Sequence, residues 1–157
     1  LHVVYDSDID EFSNVEFLNH CLSRPNIAVV GMTSKDDVFG VFFGAPVDTP
    51  GKAPFDPSHF VFSFQSNGRC VTPQRWFVKA RAQASFFSVW FSSSECGFLR
   101  VGDFAAKLFF GNSRSKCFAY KTGNVYDGLD NAALTGTDDW DADAVWHFTR
   151  LLVLQCA

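Results

Sequence analysis

Two short acidic segments place carboxylates at alternating positions, as the start of a calcium-binding EF-hand loop does. The first is Asp6-Ser7-Asp8-Ile9-Asp10-Glu11, and the second runs from Asp138 to Asp143. An EF-hand loop also needs glycine at its sixth position and a bidentate glutamate at its twelfth. In the first segment those positions hold Glu11 and Phe17, and the second segment fails in the same way. We therefore predict no metal site, and attribute the acidic residues to helix starts, where the helix dipole favours them.

Five cysteines and four histidines supply the residue types of a thiol nucleophile and its general base. The number of cysteines is odd, and neither a Cys-x-x-Cys pair nor a zinc-ligand spacing occurs. This pattern is typical of reduced, buried thiols. His20 and Cys21 are neighbours on a predicted helix, so their side chains point about 100° apart and do not form a dyad. A thiol-based redox-reactive protein or enzyme, acting through one exposed cysteine, remains an alternative.

The basic residues form two short clusters that suit contact with phosphate groups. A nucleic-acid-binding module is therefore a second alternative, although the net charge of −4 gives no basic stripe. No phosphate-binding loop, dinucleotide fingerprint or nucleophile elbow occurs, so we predict no cofactor and no enzymatic activity. The residues that would contact nucleic acid, or another partner, are Arg75, Lys79, Arg81, Arg114 and Lys116.

The composition is that of a single globular domain over residues 1–157. Hydrophobic residues make up 47% and aromatic residues 17% of the chain, with 19 phenylalanines. A chain of this length buries enough apolar surface to fold without disulfides or metals. No signal peptide and no run able to span a bilayer is visible, so we expect an intracellular, cytoplasmic protein. Because the chain begins at Leu1, we expect it to be a piece of a longer protein.

One helix is predicted near the start of the chain. Ser13-Asn14-Val15-Glu16 is a capping box, in which Ser13 accepts from the Glu16 amide and Glu16 reaches back. Arg24-Pro25 should end the helix, because the residue before proline is excluded from the α region.

Period-two patterns then predict seven or eight strands, with a helix as the alternative for the last segment, 146–154. Asn67-Gly68 predicts a hairpin, and the proline-rich segment 46–58 predicts a loop. Val38-Phe39-Gly40-Val41-Phe42-Phe43 is apolar on both sides, so we expect a second sheet on one face and the helix on the other. Most aromatic side chains should lie in the core of a two-layer antiparallel β-sandwich. The predicted strands are 27–33, 38–45, 59–66, 75–80, 86–92, 97–101, 105–110 and 146–154.

The order of these segments resembles the TLDc domain family over most of the chain. The resemblance rests on Tyr5-Asp6-Ser7-Asp8, Phe17-Leu18 with Cys21, Val38-Phe39-Gly40-Val41-Phe42, Phe60-Val61-Phe62-Ser63-Phe64, Gly102-Asp103-Phe104, Lys107-Leu108-Phe109-Phe110 and Ser115-Lys116-Cys117-Phe118-Ala119-Tyr120. The residues carrying the family pattern, as structural positions, are Asp8, Phe17, Gly40, Phe62, Phe64, Gly102 and Cys117.

The resemblance implies a β-sandwich flanked by short helices. It also implies a role in oxidation resistance and, in some members, binding to the vacuolar proton-pumping ATPase. The sequence departs from the family pattern in two places. The glycine run that family members often have is reduced to Val101-Gly102-Asp103, and the usual Cys-Glu pair is Cys117-Phe118. The leading prediction is a non-enzymatic protein-interaction module, with a protein partner such as a vacuolar ATPase subunit.

Overall fold

The computed structural model describes residues 1–51, 56–80, 89–91, 97–102, 107–111, 118–130, 132–136 and 148–157. These residues form ten strands, one α-helix and a 3-10 turn at Thr122–Asn124. The elements are β1 (His2–Asp6), α1 (Asn14–Cys21), β2 (Ile27–Thr33), β3 (Val38–Phe43), β4 (Phe60–Gln65), β5 (Gln74–Phe77), β6 (Val89–Phe91), β7 (Leu99–Gly102), β8 (Lys107–Phe110), β9 (Phe118–Tyr120) and β10 (Phe148–Gln155).

The strands form two antiparallel sheets, which confirms the predicted mainly β fold with few helices. One sheet has six strands in the order β1-β10-β2-β3-β4-β5, and the other has four in the order β6-β7-β8-β9. The last strand, β10, therefore lies between the edge strand β1 and β2. This placement joins the two ends of the described chain through main-chain hydrogen bonds.

The core lies between the two sheets. Phe39 of β3 faces Phe110 of β8 with ring centroids 6.1 Å apart, and Phe43 faces Phe91 of β6 at 5.8 Å. All four rings are fully buried. We call the side of the six-stranded sheet that points towards the smaller sheet the inner face. The inner face follows the alternation of the strands, since every second side chain points to the same side.

The helix α1 begins as predicted but ends earlier and packs elsewhere. The Ser13 hydroxyl accepts from the Glu16 amide at 3.2 Å. The reciprocal half of the capping box is absent, because the Glu16 carboxylate lies 3.0 Å from His20 Nε2 instead. The helix ends at Cys21, before Ser23 adopts a left-handed φ of 59°. In the described stretches of chain, no helix has the length and hydropathy that a bilayer crossing requires.

The expectation that the helix covers the outer side of β3 is wrong. Phe17 of α1 packs edge-on against Tyr5 at 5.6 Å and against Phe91 at 5.2 Å. Its ring thus enters the core between the sheets, together with Cys21. The short helix fills that core and leaves the other side of the six-stranded sheet without a helix from the described residues.

The Asn67-Gly68 pair makes the predicted turn, and the flanking strands β4 and β5 pair antiparallel as a hairpin. Both residues have positive φ, 48° and 81°, and the Arg69 amide donates to the Ser66 carbonyl at 3.0 Å. Strand pairing nevertheless stops at Ser63 opposite Gln74, which leaves a longer loop. The reason lies in Arg69, whose guanidinium donates to the carbonyls of residues 133 and 134 and draws the loop towards them.

Candidate functional site

The side of the six-stranded sheet that points away from the smaller sheet is also apolar. We call it the outer face. Along β4, Val61 points into the core, whereas Phe60, Phe62 and Phe64 point outwards. Outward side chains of β2 and β10 are apolar too. They form a second hydrophobic cluster that is separate from the core and contains Ala28, Val30, Val38, Phe42, Phe60, Phe62, Leu152 and Leu154.

A groove of about 460 Å³ lies on this face. We call it the outer groove. Small side chains from β2, Ala28 and Val30, line it near the middle of the sheet, and Leu154 of β10 lies on one side. Phenylalanines from β3 and β4 lie on the other side. The described residues that line it are Leu1, Ala28, Val30, Phe42, Phe60, Phe62, Phe64, Pro73, Gln74, Arg75, Leu154 and Cys156.

The phenylalanines form a continuous aromatic wall. Phe42 stacks on Phe60 with centroids 5.1 Å apart and planes 23° apart, and Phe62 and Phe64 are 4.9 Å apart. Gly40 leaves room for this wall, because a Cβ there would lie 2.7 Å from Phe62 Cζ. Three residues quoted for the family resemblance, Gly40, Phe62 and Phe64, therefore meet at one surface.

Arg75 gives the outer groove its charge. Its guanidinium carbon lies 5.7 Å from the ring centroid of Phe60 and 5.2 Å from that of Phe77. Of the described residues that line the groove, Arg75 alone has a charged side chain, and within the described chain it takes part in no ion pair. A guanidinium over aromatic faces is held by cation–π attraction and keeps its donors free for an anionic group.

Lys79, the other described residue among the predicted basic contacts, does not join Arg75. Lys79 Nζ donates to the Gly123 carbonyl at 2.5 Å, which holds this side chain against the loop after β9. Arg81, Arg114 and Lys116 lie outside the described residues. The described pair, Arg75 and Lys79, thus serves two different contacts and makes no shared phosphate-binding surface.

The acidic segment near the start of the chain is structural. Arg150 forms a bidentate pair with Asp6, and this hydrogen-bonded pairing lowers the pKa of the Asp6 carboxyl. Asp8 is exposed and lies 3.4 Å from the same guanidinium, while Asp10 accepts from the Asp6 amide at 2.8 Å. No group of metal-ligating side chains assembles among the residues described. The second acidic segment, Asp138 to Asp143, lies outside them.

The other described family-pattern residues, Asp8, Phe17 and Gly102, do not line the outer groove. Phe17 is in the core, and Gly102 ends β7 opposite Lys107 of β8. Cys117 lies outside the described residues. Phe17 and Gly102 thus belong to the sandwich.

The described thiols differ in exposure. Cys21 is fully buried in the core, and burial raises its pKa well above the ordinary value, which disfavours the reactive thiolate. His20 next to it turns towards Glu16, as the helical geometry predicts. Cys70 and Cys156 are half-buried, and Cys156 lines the outer groove.

A buried imidazole lies just before β4. His59 Nδ1 is 2.7 Å from the Asp56 carbonyl, and its Nε2 is 3.1 Å from the Tyr126 hydroxyl. Burial lowers the pKa of His59, and burial raises the pKa of Tyr126. The Asp56 carboxylate in turn accepts from the Gly44 and Ala45 amides. This network holds the end of the proline-rich loop against the sheet.

The outer groove is the site that the sequence patterns did not reveal. Its signal was present in the contrast between Ala28 and Gly40, which are small, and the phenylalanines of β4. Periodicity assigns such residues to one face, but it does not say whether another layer covers them. No protein-family model matches the chain, and no curated protein does.

Proposed function

We propose that the chain is a non-enzymatic protein-interaction module and that the outer groove is its docking surface. The observation that supports this most is the apolar outer face of the six-stranded sheet. Antiparallel sheets commonly present one apolar and one polar face, whereas this sheet has apolar side chains on both. Large exposed apolar patches mark interaction sites, and on this face Phe64 and Phe77 are exposed, whereas Ala28, Val30 and Phe62 are buried.

The energetics of the exposed rings favour docking. Phe64 at the outer groove is 57% exposed, and Phe77, which lies beside Arg75 and next to core-facing Trp76 on β5, is 46% exposed. Removing a phenylalanine side chain from water contributes roughly 1.5–3 kcal/mol. A partner that covers both rings therefore gains several times the thermal energy before any polar contact is counted.

The resemblance to the TLDc family suggests which partners to test first. Gly40, Phe62 and Phe64 belong to the matching pattern and lie at or beneath the outer groove. We propose that the partner is a subunit of a vacuolar proton-pumping ATPase, or another protein that acts in oxidation resistance or membrane traffic. A cytoplasmic location is part of this proposal.

A pair of charge-introducing variants tests the docking surface. Phe64→Glu places a carboxylate on the outer groove, and Val15→Glu places one on an exposed site of α1, where Val15 is 63% exposed. Neither side chain is needed for the core, so both variants should unfold at the wild-type urea concentration. We expect purified vacuolar ATPase subunits, or proteins from a lysate of the source cells, to bind the wild type and Val15→Glu but not Phe64→Glu.

The same experiment can contradict the proposal. If the wild type and both variants capture the same proteins in the same amounts, the outer groove is not the docking surface. If the wild type captures nothing above background at low and at high salt, the interaction module itself is refuted.

A further inference from the structure

We propose that the outer groove binds an amphipathic α-helix of another protein, and that this helix carries a carboxylate that pairs with Arg75. The inference rests on the proposed function, because it names the kind of partner that docks. It is supported by the width of the outer groove, by the small number of hydrogen-bonding side chains in its described lining and by the single charged side chain there.

The width of the groove suits the apolar stripe of one helix. Leu154 of β10 pairs with Ala28 of β2, which pairs with Phe42 of β3, so two strand spacings separate the two sides at this level. Two spacings amount to roughly 10 Å between backbones. An α-helix with its side chains is about 10–12 Å across, so its apolar side fits between them. Ala28 and Val30 line the groove between the two sides.

The polarity of the lining favours a helix over an extended peptide. Gln74 and Arg75 supply the hydrogen-bonding side chains among the described residues of the groove. An extended segment laid across the face of a sheet would bury its amide and carbonyl groups without partners, which is costly. A helix satisfies these groups internally and needs only an apolar stripe at positions i, i+3, i+4 and i+7.

The charge of the lining indicates an acidic partner. Arg75 lies at the aromatic wall, and the described lining contains no carboxylate. An aspartate or glutamate on the docked helix would meet a planar guanidinium that is already positioned by two rings. A fatty acid has the same chemistry, but such ligands are mostly enclosed by their pockets, whereas Phe64 at this wall is more than half exposed.

A displayed library of random 18-residue peptides tests the inference. The library is selected in parallel on the wild-type chain, Phe64→Glu, Arg75→Glu and Lys35→Glu, the last a control at an exposed cation outside the groove. We expect wild type and Lys35→Glu to enrich peptides with helical apolar spacing and one acidic residue. Arg75→Glu should enrich the same spacing with lysine or arginine at that position.

Individual peptides make the test quantitative. Reversing the acidic residue to lysine in the best wild-type binder should weaken binding about tenfold or more, and Arg75→Glu should restore it. Circular dichroism should show the peptide becoming helical as it binds. These two readouts separate a helix with a specific charge from a merely apolar ligand.

Contradictory outcomes distinguish the inference from the proposed function. The helix would be refuted, while the docking surface stands, by enriched peptides with alternating apolar residues. It would also be refuted if wild type and Arg75→Glu selected peptides of the same charge. Oleate that binds with dependence on Arg75, when no peptide does, would replace the helix by a lipid. The helix and the docking surface would both be refuted if Phe64→Glu enriched the same peptides as the wild type and also captured the same proteins.

Discussion

The inner and outer faces of one sheet show how the same residue type serves two purposes. Phe39 and Phe42 are three positions apart on β3 and point to opposite sides. Phe39 is fully buried between the sheets, whereas Phe42 is half-buried and stacks on Phe60 at the outer groove. A second layer of strands covers the first ring, and no described element covers the second. Abundant phenylalanine therefore indicates both stability and binding, and the covering layer decides which.

The largest expected effect is the loss of an inner ring. Phe39→Ala should lower the free energy of unfolding by about 3–5 kcal/mol, because it removes buried contacts and leaves a cavity. Phe42→Ala should cost less than half of that, because its ring is partly in water already. Urea unfolding of both variants measures the difference. Equal losses would mean that the outer face is as much a core as the inner one.

A smaller effect separates Gly40, which lies within β3, from Gly44, which follows it. A Cβ on Gly40 would lie 2.0 Å from the Val29 carbonyl oxygen and 2.7 Å from Phe62, so something must move. Gly40→Ala should therefore destabilise the fold by about 1–3 kcal/mol, as overpacking does, and disturb the aromatic wall. At Gly44 the nearest atoms to an added Cβ are 3.6 Å away.

Gly44→Ala is thus the matched control, with the same added methyl group and no close contact. It should leave both stability and docking near wild type. A Gly40→Ala chain that unfolds and binds like the Gly44→Ala chain would show that the packing of Phe62 over the sheet is looser than the distances indicate.

The smallest expected effect is a pH dependence of the free energy of unfolding, caused by the buried side chain of His59. The folded pKa of His59 is lowered below its ordinary value of 6.5 by burial. The unfolded chain therefore binds more protons at mildly acidic pH, so stability is complete above about pH 6.5 and falls as the pH drops below it. One proton contributes a slope of at most about 1.4 kcal/mol per pH unit.

Unfolding free energies measured between pH 8 and pH 5 check this expectation. His59→Gln should be less stable at pH 8 but should lose most of the slope, whereas exposed His2→Gln should keep it. A wild-type slope that survives in His59→Gln would place the titrating group elsewhere in the chain.

Local patterns predicted those parts of the fold that depend on neighbouring residues. The cap at Ser13 and the strand Ile27–Thr33 follow from hydrogen-bonding side chains and from β-branched residues. The alternation of Phe60, Phe62 and Phe64 predicted their common face. The length of the loop between β4 and β5 was not predicted, because Arg69 bonds to residues more than 60 positions away, a contact that no local pattern contains.

The outer groove could not be predicted for the same physical reason. Alternation places Ala28, Val30 and Phe62 on one face, but only the path of distant segments decides whether that face is covered. Arg75 was interpreted as a phosphate contact, and the structure places it over two aromatic rings. The TLDc resemblance and the protein partner stay predictions.

Carbene footprinting of the whole chain, read residue by residue by mass spectrometry, tests the central claim most directly. It is carried out with the free protein and with a bound partner or selected peptide. We predict that Phe64 and Phe77 are labelled in the free chain and protected in the complex, while Phe39 and Phe43 stay unlabelled in both. Equal labelling of Phe64 and Phe77 with and without the partner would contradict docking at the outer groove.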